Sequence, residues 1–404
     1  MRIATGRGRV ILAVAVVGVA GLLVAREMGG RDETSVEAPY FEVDPLWPRP
    51  LPNHWLLGST IGVSVDERDH VWIIHRSSAT LNDNEKGLEL DPPRGECCAG
   101  APPVLELDPD GHLVGSWGGP GEGYEWPASN HGITVDYKGN VWIGGNGAQD
   151  SHVLKFSRDG TFLLQVGRSA ARAQGPPNAD GAPTFVGDSR DMQSFGRVAK
   201  IFVDPDANEA YLADGYLNKR VAVVDADTGA LKRYWGAYGN EPDDANPGPY
   251  VPDAPPAQQF RNPVHCADLS NDGLVYVCDR VNNRVQVFQK DGQFVREGFI
   301  ARNTLGAGAA WDLAFSRDPE QTYLYVADGL NMKVHVLLRD TLEELTSFGD
   351  GGRQPGQFYG VHSIATDSQG NVYTTETYEG KRVQKFAFKG IRQVSRQQGV
   401  VWPR

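Results

Sequence analysis

Residues Asn262 to Gly292 read NPVHCADLSNDGLVYVCDRVNNRVQVFQKDG, and this stretch restricts the fold more than any other in the chain. Three β-rich runs, Cys266–Leu269, Leu274–Cys278 and Arg284–Gln289, are separated by Asn-Asp-Gly and Asn-Asn turns. Lys290-Asp291-Gly292 then turns the chain into Gln293–Glu297. Four antiparallel strands in about 35 residues make one propeller blade.

The pattern occurs in six copies. Their first strands are expected at Gly62–Asp66, Gly132–Asp136, Lys200–Asp204, Cys266–Ser270, Asp312–Ser316 and Ser363–Asp367. Second strands follow at Val71–His75, Val141–Gly144, Ala210–Asp214, Val275–Asp279, Leu324–Asp328 and Val372–Glu376. Hairpin signals such as Lys138-Gly139-Asn140 and Gln369-Gly370-Asn371 stand between them. Units of this kind close into an all-β, six-bladed β-propeller. The last copy lacks a clear fourth strand, and Tyr40–Val43 is a spare strand able to complete it and cover an edge. Val400-Val401-Trp402 in the tail competes for that role. The insertions Ser77–Pro103, Trp117–Asn130, Arg168–Ala199 and Trp235–Val264 all emerge on one face, around the channel mouth.

Composition agrees with this reading. The 48 Gly and 26 Pro suit a turn-rich β protein, and a net charge of −12 argues against a nucleic-acid partner. Residues 1–30 differ in kind: Arg2, Arg7 and Arg9 precede an apolar run from Val10 to Ala25. They read as a signal peptide or signal anchor, followed by a polar tether at 31–39, the propeller at 40–390 and a tail at 391–404. The expected location is periplasmic or extracellular, with membrane contact only through the N-terminal segment, and the expected state is a monomer. In an oxidising compartment Cys266 and Cys278 could pair across their strands or remain buried thiols. Cys97 and Cys98 are expected to be free or to pair elsewhere, since bridging neighbours strains the ring.

The position five before the last residue of each first strand holds Ile61, His131, Ala199, His265, Trp311 and His362. Histidine in alternate blades places three imidazoles about 120° apart on the channel axis. That arrangement suits a divalent metal with an open position, zinc first and iron, copper or nickel next. For any one His alone, a satisfied loop or channel residue is the plainer reading; three in alternate copies of one slot point to the metal. A second slot, just after strand two, holds Arg76, Asn146, Gly215, Arg280, Gly329 and Thr377. Its two arginines face one another across the mouth, where they could fork onto a carboxylate. Tyr216 reaches the same mouth.

The repeats resemble NHL propellers in Asp-Arg-Val-Asn-Asn-Arg-Val-Gln-Val-Phe. More specifically, His75-Arg76, His131-Gly132-Ile133, Asp214-Gly215-Tyr216, Val264-His265, Asp279-Arg280 and Val361-His362 resemble motifs of the peptidyl-α-hydroxyglycine α-amidating lyases. The resemblance implies that His131, His265 and His362 bind catalytic zinc, that Tyr216 transfers a proton, and that Arg76 and Arg280 serve the active site. It implies a substrate, small molecule or peptide, ending in an α-hydroxyglycine carboxylate. Leu217 stands where the family has a cysteine, so that disulfide is missing. Ser363 replaces an Asp that helps hold a structural calcium, which makes calcium doubtful. The alternative is a non-catalytic NHL-repeat binding scaffold of the cell envelope.

Overall fold

The computed structural model describes residues 35–403, and the expected signal or anchor segment lies outside them. Six antiparallel sheets follow one another along the chain. The innermost strands are Thr60–Val65, Asn130–Val135, Val198–Asp204, Val264–Leu269, Asp312–Phe315 and Val361–Thr366. Each begins a blade whose next two strands lie in chain order outward from the axis.

Side-chain chemistry sets the inner hairpins. The Asp66 carboxylate accepts hydrogen bonds from the amides of Arg68 and His70, and Asp136 and Asp367 repeat this in their blades. Such Asx turns pin the register between strands one and two. The other carboxylate oxygen accepts from the ring of the second strand: Trp72, Trp142 or Tyr373. One short turn thus orients the large residue that fills the space between blades.

Second strands such as Val71–His75 and Val372–Glu376 are buried along their whole length, because a neighbouring blade covers each face. The cores are therefore interblade. Cys266, Tyr276 and Val285 of blade four pack with Leu313, Leu324 and Val326 of blade five. The Cys266–Cys278 disulfide joins directly opposed residues inside that cluster. Cys97 and Cys98 are bonded to each other, against expectation; with the other two cysteines paired, neither has another partner.

Ring closure uses the N-terminal strand. Ser35–Asp44 pairs antiparallel with Arg382–Ser395 as the outermost strand of blade six, burying Phe41 and Val43 against Tyr325, Phe348 and Phe386. The tail goes elsewhere: Gln397–Gly399 lies parallel to Glu344–Phe348 as a fifth strand on blade five. Val401 is buried there, and its carbonyl accepts from the Val43 amide. Burial of Phe41 and Val43 contributes about 3–6 kcal/mol, comparable with the 5–15 kcal/mol that typically holds a domain folded. A chain beginning at Leu46 should therefore lose its single cooperative melt, while one beginning at Arg31 keeps it. Superimposable thermal transitions of the two would show that closure does not depend on this strand.

Candidate metal centre

The three slot histidines meet on the channel axis. A β-bulge at the start of the innermost strand makes this possible. Cross-strand pairing skips His265 between Val264 and Cys266, skips His362 between Val361 and Ser363, and is irregular between Asn130 and Ile133. A bulged residue leaves the ladder and its side chain is re-aimed, here toward the axis. The ligand-capable atoms of His131, His265 and His362 lie within 4.8 Å of one another, and all three residues are buried.

The odd-numbered blades supply the orientation. His131 Nδ1 lies 2.7 Å from the carbonyl of Ala199, and His362 Nδ1 lies 2.6 Å from that of Ile61. His265 Nδ1 contacts the carbonyl of Trp311 in the same way. Each histidine is thus held by the slot residue of the next blade around the ring. Gly132 permits one of these approaches, since a Cβ there would sit 2.4 Å from the Ala199 oxygen.

A carbonyl oxygen only accepts, so every Nδ1 carries the proton and every Nε2 turns a lone pair inward. Burial, then the neighbouring charges of Arg280 and Arg76, pushes His362 down to about 3. Burial first, then the surrounding histidine and arginine charges, holds His131 and His265 well below the ordinary range. Three neutral imidazoles with convergent lone pairs and carbonyl-fixed tautomers form the donor set of a three-His metal site. The residues fit a metal.

Tyr216 caps the group. Its hydroxyl oxygen lies 2.9 Å from His131 Nε2 and 3.0 Å from His265 Nε2. Gly215 brings it there: a Cβ at 215 would lie 2.0 Å from the Val264 oxygen, so only glycine lets the chain just past strand two of blade three approach blade four this closely. Arg280 donates from Nη1 to the Tyr216 hydroxyl at 3.2 Å and from Nε to the Ala307 carbonyl at 3.0 Å. Its guanidinium stacks on Trp311, 4.5 Å from the ring centroid. Arg76 donates to Asn146 Oδ1 at 2.9 Å, and its charge also reaches His362.

The structure thus gathers His131, His265, His362, Tyr216 and Arg280 in direct contact, with Arg76 beside them. Other motif residues are structural. His75 accepts the Gly58 and Ser77 amides at Nδ1 and donates from Nε2 to the Pro102 carbonyl, fixing the first insertion. Asp279, adjacent to Arg280, is fully buried and paired with Arg284, and Asp214 pairs likewise with Arg220. Trp311, whose carbonyl holds one histidine and whose ring supports an arginine, carries no motif that marks it as functional. Its occurrence in the histidine slot was the available signal. The cluster of Asp66, His70 and Glu106 also has ligand-like spacing, but the guanidinium of Arg158 already contacts both carboxylates.

Comparison with known proteins agrees with this architecture. An NHL repeat model matches residues 264–288. Peptidyl-glycine alpha-amidating monooxygenase B of Xenopus laevis is 25% identical over 260 residues, which is 64% of this chain and 26% of that protein. Monooxygenase A of the same species is also 25% identical over 260 residues, or 64% of this chain and 24% of that protein. The chain spans about a quarter of the length of these relatives. NHL repeat-containing protein 3 of Mus musculus is 27% identical over 319 residues, 76% of this chain and 70% of that protein. Among solved structures, a streptogramin B lyase aligns with a TM-score of 0.49 at 13% identity, covering 88% of this chain and 98% of that one. The chain is a six-bladed β-propeller that carries an NHL repeat.

Proposed function

We propose that this protein is a zinc-dependent carbon–nitrogen lyase that cleaves an N-acyl-α-hydroxyglycine into an amide and glyoxylate. One observation carries the reading: the Tyr216 hydroxyl stands at hydrogen-bond distance from two inward-facing Nε2 atoms and from the Arg280 guanidinium. A metal site alone would need neither the phenol nor the arginine. The motif resemblance supports this reaction, and the similarity to two peptidyl-glycine alpha-amidating monooxygenases of Xenopus supports a peptidyl-glycine type of substrate.

His131, His265 and His362 would hold the ion, which when bound supplies Lewis acidity toward the substrate hydroxyl. The substrate carbon bears that hydroxyl, an amide nitrogen and a carboxylate. Arg280 and Arg76 bind the carboxylate and orient the carbon beneath Tyr216. The Tyr216 oxygen, positioned by the Arg280 guanidinium, takes the hydroxyl proton. The O–H electron pair becomes the new C=O bond, and the C–N bond breaks with its pair remaining on nitrogen. Tyr216 returns the proton to that nitrogen, so the products are a primary amide and glyoxylate and nothing is consumed.

Two disulfides suit an oxidising compartment, and under this reading residues 1–30 deliver the protein there, where it works as a monomer. The NHL repeat by itself specifies no chemistry, so a second reading is a binding scaffold without chemistry. Metal analysis separates the two. After dialysis the lyase should retain about one zinc per chain and release glyoxylate from N-acyl-α-hydroxyglycines. Metal-free protein, or zinc-loaded protein inert toward several acyl groups, would leave the scaffold reading standing.

A further inference from the structure

Beneath the histidines the channel is crossed by a lysine. Lys200, on the innermost strand of blade three, sends Nζ to Asp268 Oδ2 of blade four at 3.0 Å and to Asp312 Oδ1 of blade five at 2.6 Å. The Leu313 carbonyl lies 3.5 Å from the same nitrogen. Asp312 Oδ2 accepts from the Ser363 hydroxyl at 2.6 Å and the Ile364 amide at 3.1 Å, both in blade six. A space of about 10 Å³, room for one water, separates the lysine from the histidines. On its far side the channel widens to a cavity of about 170 Å³.

Two carboxylates and a backbone carbonyl converging on one point form an oxygen donor set of the kind hard cations select. That point is the lysine nitrogen. We propose that the Lys200 ammonium is a tethered cation that takes the place of a metal ion in the channel, so that the calcium implied by the family resemblance has no site here. The residues do not fit calcium while Lys200 is present. Burial alone would lower the proton affinity of this amine, but Asp268 and Asp312 overcome that and raise it. The charge stays.

The tether also bears on the metal centre. Lys200 follows Ala199, Asp312 follows Trp311, and Ser363 follows His362. The network thus fixes the backbone of two carbonyls that orient histidines and of one histidine itself. Lys200 is in this sense a positioning residue. The inference rests on the channel geometry and does not require the lyase reading.

Thermal unfolding at saturating zinc, with and without calcium at about 1 mM, the range in which extracellular calcium modules fill, tests it. Wild type should melt at one temperature in both. Lys200→Ala should melt several degrees lower and recover part of that loss with calcium, but not with sodium chloride of equal ionic strength. A packing role alone would give no such rescue. Failure of calcium to raise the Lys200→Ala transition, or an equal rise in wild type, overturns the proposal. Should Lys200→Ala not fold, equilibrium dialysis of wild type against calcium decides. No uptake is expected, and stoichiometric uptake that Asp312→Asn abolishes would refute the tethered cation.

Discussion

Alanine at His131, His265 or His362 is expected to strip the metal from the protein, whichever of the three is changed. Each imidazole supplies one of three convergent lone pairs, and the remaining two cannot enclose an ion. Loss of a mere orienting partner typically costs about 10–100-fold in metal affinity, so loss of a ligand should exceed that. Two other histidines provide controls. His335 is buried between Asp328 and Glu344, at 3.0 and 2.9 Å, and despite its burial these two partners raise it to about 9. His112 is exposed beside Asp108. His335→Ala should therefore lower the melting temperature yet keep the metal, and His112→Ala should change little. Metal per chain after dialysis is the measurement. Full occupancy in His265→Ala would break the assignment of the axis as a metal site.

The contrast between His335 and His265 shows what a sequence can and cannot reveal about such a site. Both lie on strands, and both are buried. Only their position within the repeat distinguishes them: His265 shares its slot with His131 and His362, whereas His335 stands alone. Repetition therefore exposed the axis, because six copies of one unit must point equivalent residues at a common line. It exposed the blades for the same reason, and the spare strand Tyr40–Val43, since a closed ring cannot leave one blade short.

Features that depend on contact between blades were not legible. The carbonyls of Ile61, Ala199 and Trp311 orient the histidines, but a backbone carbonyl leaves no trace in residue identity. Lys200 reads locally as an ordinary polar residue at a strand edge. Only the closed ring brings it to Asp268 and Asp312, which lie 68 and 112 residues away. The tail was ambiguous because Val400-Val401-Trp402 has the composition of a strand. Its place was settled by the continuous length of Arg382–Ser395, which carries the chain past blade six and onto the edge of blade five. Cys97 and Cys98 pair with each other because Cys266 and Cys278 take up the remaining thiols, a constraint of number that the local sequence around 97–98 does not reveal.

Tyr216→Phe is expected to reduce glyoxylate release by about 10²–10⁴-fold, the usual contribution of a positioned proton acceptor, while zinc stays bound. The substitution removes one oxygen and keeps the ring, which packs at the edge of the blade three and four core. The three Nε2 lone pairs remain, so metal content should be unchanged. Arg280→Ala should behave differently. The substrate carboxylate is present before and during bond cleavage, so losing its partner raises KM at least as much as it lowers kcat. Arg280 also donates to the Tyr216 hydroxyl, and its loss should lower kcat through that oxygen as well. Lysine at 280 restores charge without the fork or the stacking on Trp311, and should recover binding only in part. The two positions meet on one oxygen, so their effects should not add: Tyr216→Phe combined with Arg280→Ala should lose less in kcat than the product of the single losses. If zinc-loaded Tyr216→Phe released glyoxylate at the wild-type rate, the phenol would have no part in the chemistry. The contact between Tyr216 and Arg280 would then be a feature of the channel mouth alone.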